Sequence, residues 1–412
     1  MAFLSLLDDR ARPKGSRDPL GFEMVWTHFG RRVVGNLTTI TSSWKIFAVG
    51  LLGFHWCNQL CRDVNPVDRQ RILQQHFLRY EQLAAYLRSS ADDHEIMGIT
   101  RVRKRLGKGD RTISIGIDQQ SLILSDQVSY GIWGLYSTAL RETGLVRGDL
   151  RESTESGLAI VRLIEDGLTR KGEGLGIDWY WRFLRGQRKA VAASDLEREN
   201  TRFVGAISAG RVRDALIAAL LRGSGEHRCQ LALYESCRAL DPAVLKDAGL
   251  GPLVATLGQQ TDSPELREAL ENISQIERLL VTANVLFNYL RRQDGESLAA
   301  MASAIDRIYR LDFLPDGPEL AGVPYGADLD ALRTRLRSGD TLAALRGLLE
   351  MNKKIMAGRG GAAWVEESSD GTLRVRVKAE TAHLPPIEEL QSRWDYDYFL
   401  RSYARIAAQE RP

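Results

Sequence analysis

The segment from Ser263 to Gly295 restricts the fold of this chain more than any other. Ser263 precedes Pro264 and Glu265, which joins a side-chain N-cap to a proline whose missing N–H has no partner to lose in a first helical turn. Leu266, Leu270, Ile273, Ile276, Leu280 and Leu286 then recur at helical spacing until Asp294 and Gly295 close the segment. This predicts one long helix. Asp241 before Pro242 repeats the start signal, and residues 197–360 read as helical almost throughout. Asn65 before Pro66, with Asp68 in the first turn, opens another amphipathic helix through Ile72, Phe77, Tyr80, Leu83 and Leu87. The expected class is mainly α and multi-helical.

Strands enter that pattern in few places. Residues 362–367 and 372–379 flank Ser369, Asp370 and Gly371, which predicts a C-terminal β-hairpin. Ile113, Ile115 and Ile117 alternate with Ser114, Gly116 and Asp118 as in a brief strand. From Asp126 a helix is expected through Tyr130, Trp133, Leu135, Tyr136 and Leu140 to Gly144, then a short apolar piece at Leu145 and Val146, then a capped helix along Leu158 to Ile164. That layout matches winged-helix modules, with an ordinary helical hairpin as the alternative. The tail from Ile387 to Ala408 reads as an aromatic helix carrying Trp394, Tyr396, Tyr398, Phe399 and Tyr403, which either closes the protein's own core or offers a partner site. Composition shifts and the proline-rich loop from Leu311 to Asp328 suggest four stretches: an N-terminal helical region (1–91), the winged-helix candidate (92–175), a helical bundle (176–315), and C-terminal helices with the hairpin (316–412).

Composition excludes several classes. With 412 residues, 44% hydrophobic and 26% charged, the chain is neither a small module nor a disordered one. The apolar run from Ile46 to Cys57 is well short of the roughly 20 residues a membrane span needs. Phe3, Leu4, Leu6 and Leu7 lead at once into Asp8 and Asp9, unlike a signal peptide, so a cytoplasmic location is expected. Arginine outnumbers lysine 46 to 10, and guanidinium is the better group for phosphate. The acidic residues number 53, however, leaving a net charge of only +3, and codon bias explains the excess more simply.

No catalytic signature stands out. There is no phosphate-binding loop, since the glycines at 358, 360 and 361 precede an expected strand rather than a helix. Gly205, Ser208 and Gly210 have the wrong spacing for a nucleophile elbow. A two-metal nuclease finds no carboxylate beside Arg374, Arg376 and Lys378 on the hairpin. Cys57 and Cys61 are four apart and Cys229 and Cys237 eight apart, spacings poorly suited to structural zinc, so neither metal nor cofactor is expected. What remains are basic clusters. One comprises Arg101, Arg103, Lys104, Arg105, Lys108 and Arg111; a second interleaves Arg182, Arg185, Arg188 and Lys189 with Trp179, Tyr180, Trp181 and Phe183. Arg374 and Arg376 form a third. Phosphate neutralisation and stacking on exposed bases use these residue types, whereas solvated charge and an amphipathic helix are the plainer readings.

Three further segments carry a resemblance: Asp18-Pro-Leu-Gly-Phe-Glu-Met-Val-Trp with Arg31, Arg32, Asn36, Leu37, Thr38 and Thr39; Tyr130-Gly-Ile-Trp-Gly-Leu-Tyr with Gly144 and Leu145; and Asn352-Lys-Lys with Arg359-Gly-Gly-Ala-Ala-Trp. Their order resembles uncharacterised bacterial proteins encoded in anti-phage defence islands beside helicases, ATPases or phospholipase-D-like nucleases. The resemblance implies an accessory subunit of a multi-protein complex, contacting DNA or partner subunits, and assigns no catalytic residue. The expectation is a non-enzymatic DNA-contacting or scaffolding subunit. Two alternatives are an enzyme with a scattered site around Asp18, His28, Arg31 and Arg32, and a winged-helix transcriptional regulator.

Overall fold

A computed structural model describes residues 18–107, 112–169, 174–223, 228–380 and 383–410. The chain is mainly α, at 63% helix, with small two-stranded antiparallel sheets that include the expected C-terminal hairpin. Contacts group it into two compact units, Met1–Val33 with Ala248–Leu400 and Val34–Asp247 with Arg401–Pro412. This grouping cuts across the four stretches read from composition.

The first unit holds α1 (Phe22–Val33) and, numbered along the chain, α14 (Leu250–Gln260), α15 (Pro264–Leu290), α16 (Leu298–Ile308), α17 (Gly326–Arg337), α18 (Thr341–Gly358), the hairpin β5 (Val365–Glu367) and β6 (Leu373–Val375), and α19 (Ile387–Ser392). The Ser263 hydroxyl accepts the Leu266 N–H at 3.2 Å, so α15 begins where its cap residues place it. Its buried stripe, Leu266 to Leu290, packs against α1, α14, α18 and α19. At its far end Gly295 and Glu296 extend the hairpin's ladder, with the Gly295 N–H on the Leu373 carbonyl at 2.7 Å and the Leu373 N–H on the Glu296 carbonyl at 2.8 Å.

Two of the resembling segments meet in this unit. Asp18 caps α1 by accepting the Phe22 N–H at 2.8 Å and the Glu23 N–H at 3.1 Å. The fully buried Asn352 gives its amide to the Pro19 carbonyl at 2.9 Å and accepts the Trp364 N–H at 2.7 Å. Asn352→Ala is expected to cost about 2–4 kcal/mol, since it leaves two buried backbone groups unpaired. Chemical denaturation should show it as a lowered midpoint at an unchanged slope.

The second unit holds α2 (Lys45–Leu60), α3 (Pro66–Ser90), α4 (Ile99–Leu106), β1 (Thr112–Ser114), α5 (Gln127–Tyr130), α6 (Ile132–Leu135), α7 (Ser137–Glu142), β2 (Val146–Arg147), β3 (Glu152–Ser153), α8 (Glu155–Thr169), α9 (Ile177–Leu184), β4 (Ala190–Ala192), α10 (Ala193–Ile207), α11 (Gly210–Arg222), α12 (Arg228–Ala239), α13 (Pro242–Asp247) and α20 (Leu400–Ala407). α3 starts on Asn65, whose side chain accepts the Val67 N–H at 3.1 Å. Gly53 on α2 lets the ring of Tyr80 on α3 approach closer than any Cβ would permit. Around that contact Phe54 stacks on Phe77 at 4.3 Å, with Trp133 at 5.6 Å from each. Among the described residues no helix is long and apolar enough to cross a membrane.

Three expectations change. The helix from Asp126 to Gly144 is broken into α5, α6 and α7, because the buried carboxylate of Glu81 on α3 captures the Ile132 N–H at 2.6 Å and the Gln127 amide at 2.8 Å. Gly131 sits in that break, where a Cβ would lie 2.7 Å from the Glu81 oxygens. The strand at Ile113 ends at Ser114, leaving Ile117 44% exposed. The tail is no continuous helix: residues 393–399 run as a strap between α19 and α20, with Tyr398 and Phe399 at φ 49° and 62°. A helix would bury one face and expose Tyr398 or Phe399; the strap buries both.

Candidate nucleic-acid interface

One face of α3 organises the basic surface of the second unit. Arg79, Gln82 and Tyr86 follow one another at helical spacing, so about 10 Å of helix separates the first from the last. Arg79 donates to the Leu184 carbonyl at the end of α9, at 3.3 Å. Gln82 exchanges two bonds with the backbone of Gly116 just after β1, at 2.8 and 3.1 Å. Tyr86 accepts from Arg105 on α4 at 2.8 Å. Both sequence clusters therefore dock on the same helix, and β1 and β4 tie them together: Ile113 pairs with Val191, and the Ile115 N–H meets the Lys189 carbonyl at 2.8 Å.

The individual side chains divide by role. Arg105 is turned inward, donating to the Ser121 and Leu122 carbonyls at 2.7 and 2.9 Å, and Arg101 holds the Leu122 carbonyl at 3.0 Å. These two fix the 120–122 loop. Arg188 lies 5.3 Å over the Phe183 ring and 3.5 Å from Asp195. By contrast Arg103, Lys104, Arg182, Arg185 and Lys189 are exposed, and none pairs with a carboxylate among the described residues. Lys108 and Arg111 lie outside the described residues. Nearby, the exposed Asp118 accepts from the Ser121 hydroxyl at 2.8 Å and from the Gln120 and Ser121 N–H groups at 3.1 Å, which holds its carboxyl below the usual range.

The hairpin in the first unit differs. Arg374 is exposed, but Arg376 is 2.6 Å from Glu366 across the ladder and Lys378 is 3.8 Å from Asp294. Carboxylates do stand beside these cations, contrary to the sequence reading, because antiparallel pairing sets Glu366 opposite Arg374. A groove of about 700 Å³ in this unit, lined by Tyr325, Asp328, Arg333 and Lys354 among others, has both its cations paired with its own carboxylates, Lys354 at 2.7 Å from Asp328 and Arg333 on Asp330.

The scattered-site residues do not converge. Asp18 caps one end of α1 and Arg31 lies over the Phe399 ring at 3.7 Å near the other, with about 14 Å of helix from Phe22 to Arg31. His28 sits against Phe29, and burial followed by the charge of Arg32 lowers its pKa. Among the described residues no three or more His, Cys, Asp or Glu side chains gather to hold a metal. Burial pushes the thiols of Cys57 and Cys61 up, and that of Cys237 up to about 12.

Sequence reading missed Arg79 and His76. Both look like ordinary polar positions of an amphipathic helix, and only their contact with Leu184, more than 100 residues away, sets them apart. No family model matches the chain, and neither a curated protein nor a solved structure is similar to it.

Proposed function

We propose that this chain is a non-enzymatic, nucleic-acid-contacting subunit that engages a strand's phosphates through the second unit. The observation that carries the reading is the docking of two basic clusters, some 80 residues apart in sequence, on one face of α3, with Arg103, Lys104, Arg182, Arg185 and Lys189 exposed and without carboxylate partners. Lone cations on a surface are ordinary; two groups anchored on α3 at points about 10 Å apart along the helix can meet the phosphates of one strand together. The resemblance to defence-island proteins implies that such a subunit works in a multi-protein anti-phage complex, beside a helicase, ATPase or nuclease.

Binding should weaken with salt along a straight log–log line, and Arg103→Gln, Lys104→Gln, Arg182→Gln and Lys189→Gln combined should flatten that line by about 0.9 per duplex phosphate contact removed. Fluorescence anisotropy checks this. No binding at low salt would leave scaffolding as the surviving role.

The winged-helix regulator is a second reading, supported by the order α7, hairpin β2–β3, α8 within residues 92–175. Against a base-reading wing, Arg151 in the hairpin turn folds back over Trp133 at 3.9 Å and donates to the Ser137 hydroxyl at 2.8 Å. Arg147 stays exposed. Competition between unrelated duplexes separates the two: backbone contact gives equal affinities, a regulator a preferred sequence.

A further inference from the structure

We propose that His76, Arg79, Trp181 and Arg185, where α3 meets the end of α9, form a pocket for one phosphate group of a nucleic-acid strand. The proposal rests on the nucleic-acid reading above and names its anchoring contact.

Arg79 is half-buried, and its guanidinium bonds only to carbonyls, Gln75 at 3.4 Å and Leu184 at 3.3 Å, with no carboxylate partner among the described residues. A guanidinium withdrawn from water without a counter-charge is unfavourable, and a phosphate supplies both the charge and a matching pair of acceptors. Beside it the His76 ring lies against the Leu184 backbone, and its Nδ1 and the Trp181 Nε1 are buried without partners. Gly186, at φ +71°, lets the turn after α9 approach Arg79 closely: a Cβ there would lie 3.2 Å from its guanidinium carbon. Arg185 is exposed and lies 5.6 Å from the Trp181 ring centre, so a second guanidinium stands at the same junction. The charged groups that face His76 are Arg79 on its own helix and Arg185 at the α9 C-cap, both cationic. Burial and these cations hold His76 below the usual histidine range, and a bound phosphate would reverse the local field and draw a proton onto the ring.

The test titrates a labelled single strand and a closed hairpin duplex without terminal phosphate against the full chain and two variants, Arg79→Gln and Arg185→Gln. In parallel, NMR follows the His76 ring against pH with and without inorganic phosphate. Each variant should weaken binding several-fold and reduce the single-strand salt slope by about 0.7. Phosphate should raise the His76 midpoint in the wild type but not in Arg79→Gln. Equal loss on both oligonucleotides identifies an internal phosphodiester; loss on the single strand alone, when it carries a 5′-phosphate, identifies a terminal one. If both variants melt normally and bind as the wild type does, while the Arg103 and Lys104 variants lose binding, the pocket is wrong and the broader reading stands. If the wild type binds neither oligonucleotide the broader reading fails, and an unmoved His76 midpoint in phosphate then rejects the pocket as well. Should Arg79→Gln fail to fold, Arg185→Gln and Arg79→Lys, which keeps the charge but loses the fork, decide the matter.

Discussion

A chain ending at Pro386 will aggregate or melt far below the intact protein. In the first unit the lost strap carries Tyr396, whose ring stands 6.3 Å from Phe22, and Tyr398 and Phe399, which close on Trp26 at 6.1 and 5.2 Å. It also carries the groups that satisfy Glu277 on α15: the Asp395 N–H, the Tyr396 N–H at 3.1 Å and the Tyr398 hydroxyl at 2.8 Å. The second unit loses α20, where Ile406 is fully buried and the Tyr403 hydroxyl donates to the Leu221 carbonyl at 2.8 Å. Truncating one buried aromatic to alanine costs about 3–5 kcal/mol, so losing several exceeds the roughly 5–15 kcal/mol that holds a typical domain together. Size-exclusion chromatography and thermal melting check it. A soluble monomer of unchanged melting temperature would mean that the tail is a partner site after all.

Wild-type stability relative to Glu277→Gln will fall as pH rises from about 5 to 8, by about 2.5 kcal/mol. Burial is the leading cause, pushing the Glu277 carboxyl up to about 7 against the hydrogen bonds that favour its ionised form. An acid whose folded pKa lies above its unfolded value binds more protons when folded. Its contribution is thus complete below the unfolded value and disappears as pH climbs through 7. The amide keeps an acceptor for the Asp395 and Tyr396 N–H groups and can donate to Tyr398, so it mimics the protonated acid at every pH. The difference between the two proteins is the quantity to measure. Glu81, also pushed up to about 7, adds a trend of the same sign in the second unit, while the partly buried His28, His55 and His76, all held low, act in the opposite direction as pH drops below 6.5. Denaturation midpoints across that range would refute the claim if the two curves stayed parallel.

Local signals were legible where local physics decides. α15 and α3 begin at Ser263 and Asn65 because a cap and a proline act within one turn, and the hairpin turns at Asp370 and Gly371, where φ reaches 80°. Where a distant side chain decides, the sequence is silent. Nothing between Asp126 and Gly144 announces that Glu81 will interrupt the helix, and β4 has three residues whose partner lies nearly 80 positions earlier. The resembling segments are instructive in the same way. Asn36 gives its amide to Thr143 and the Leu220 carbonyl and accepts from Gln230, Gly131 makes room for Glu81, and Asn352 joins Pro19 to Trp364. Their residues satisfy buried backbone and side-chain polar groups, and their spacing carries no chemistry by itself. For the candidate interface, the exposed cations were visible in sequence; the inward roles of Arg101 and Arg105 and the part of Arg79 were not, since each depends on a carbonyl brought from elsewhere.

The interleaved connectivity of the two units bears on how the chain is made. On the ribosome α1 emerges well before the helix it packs against, α15, which is completed only at Leu290, with most of the second unit translated in between. At about 5–20 residues per second, Phe22, Val25 and Phe29 wait roughly 10–50 s without their partner. The second unit can gather most of its helices meanwhile, but its own α20 follows α13 only after the whole of Ala248–Leu400 has been translated. Vectorial synthesis thus leaves both units incomplete until the chain around Leu400 has been made, so the apolar faces of α1 and of the second unit's helices stay partly uncovered in the meantime.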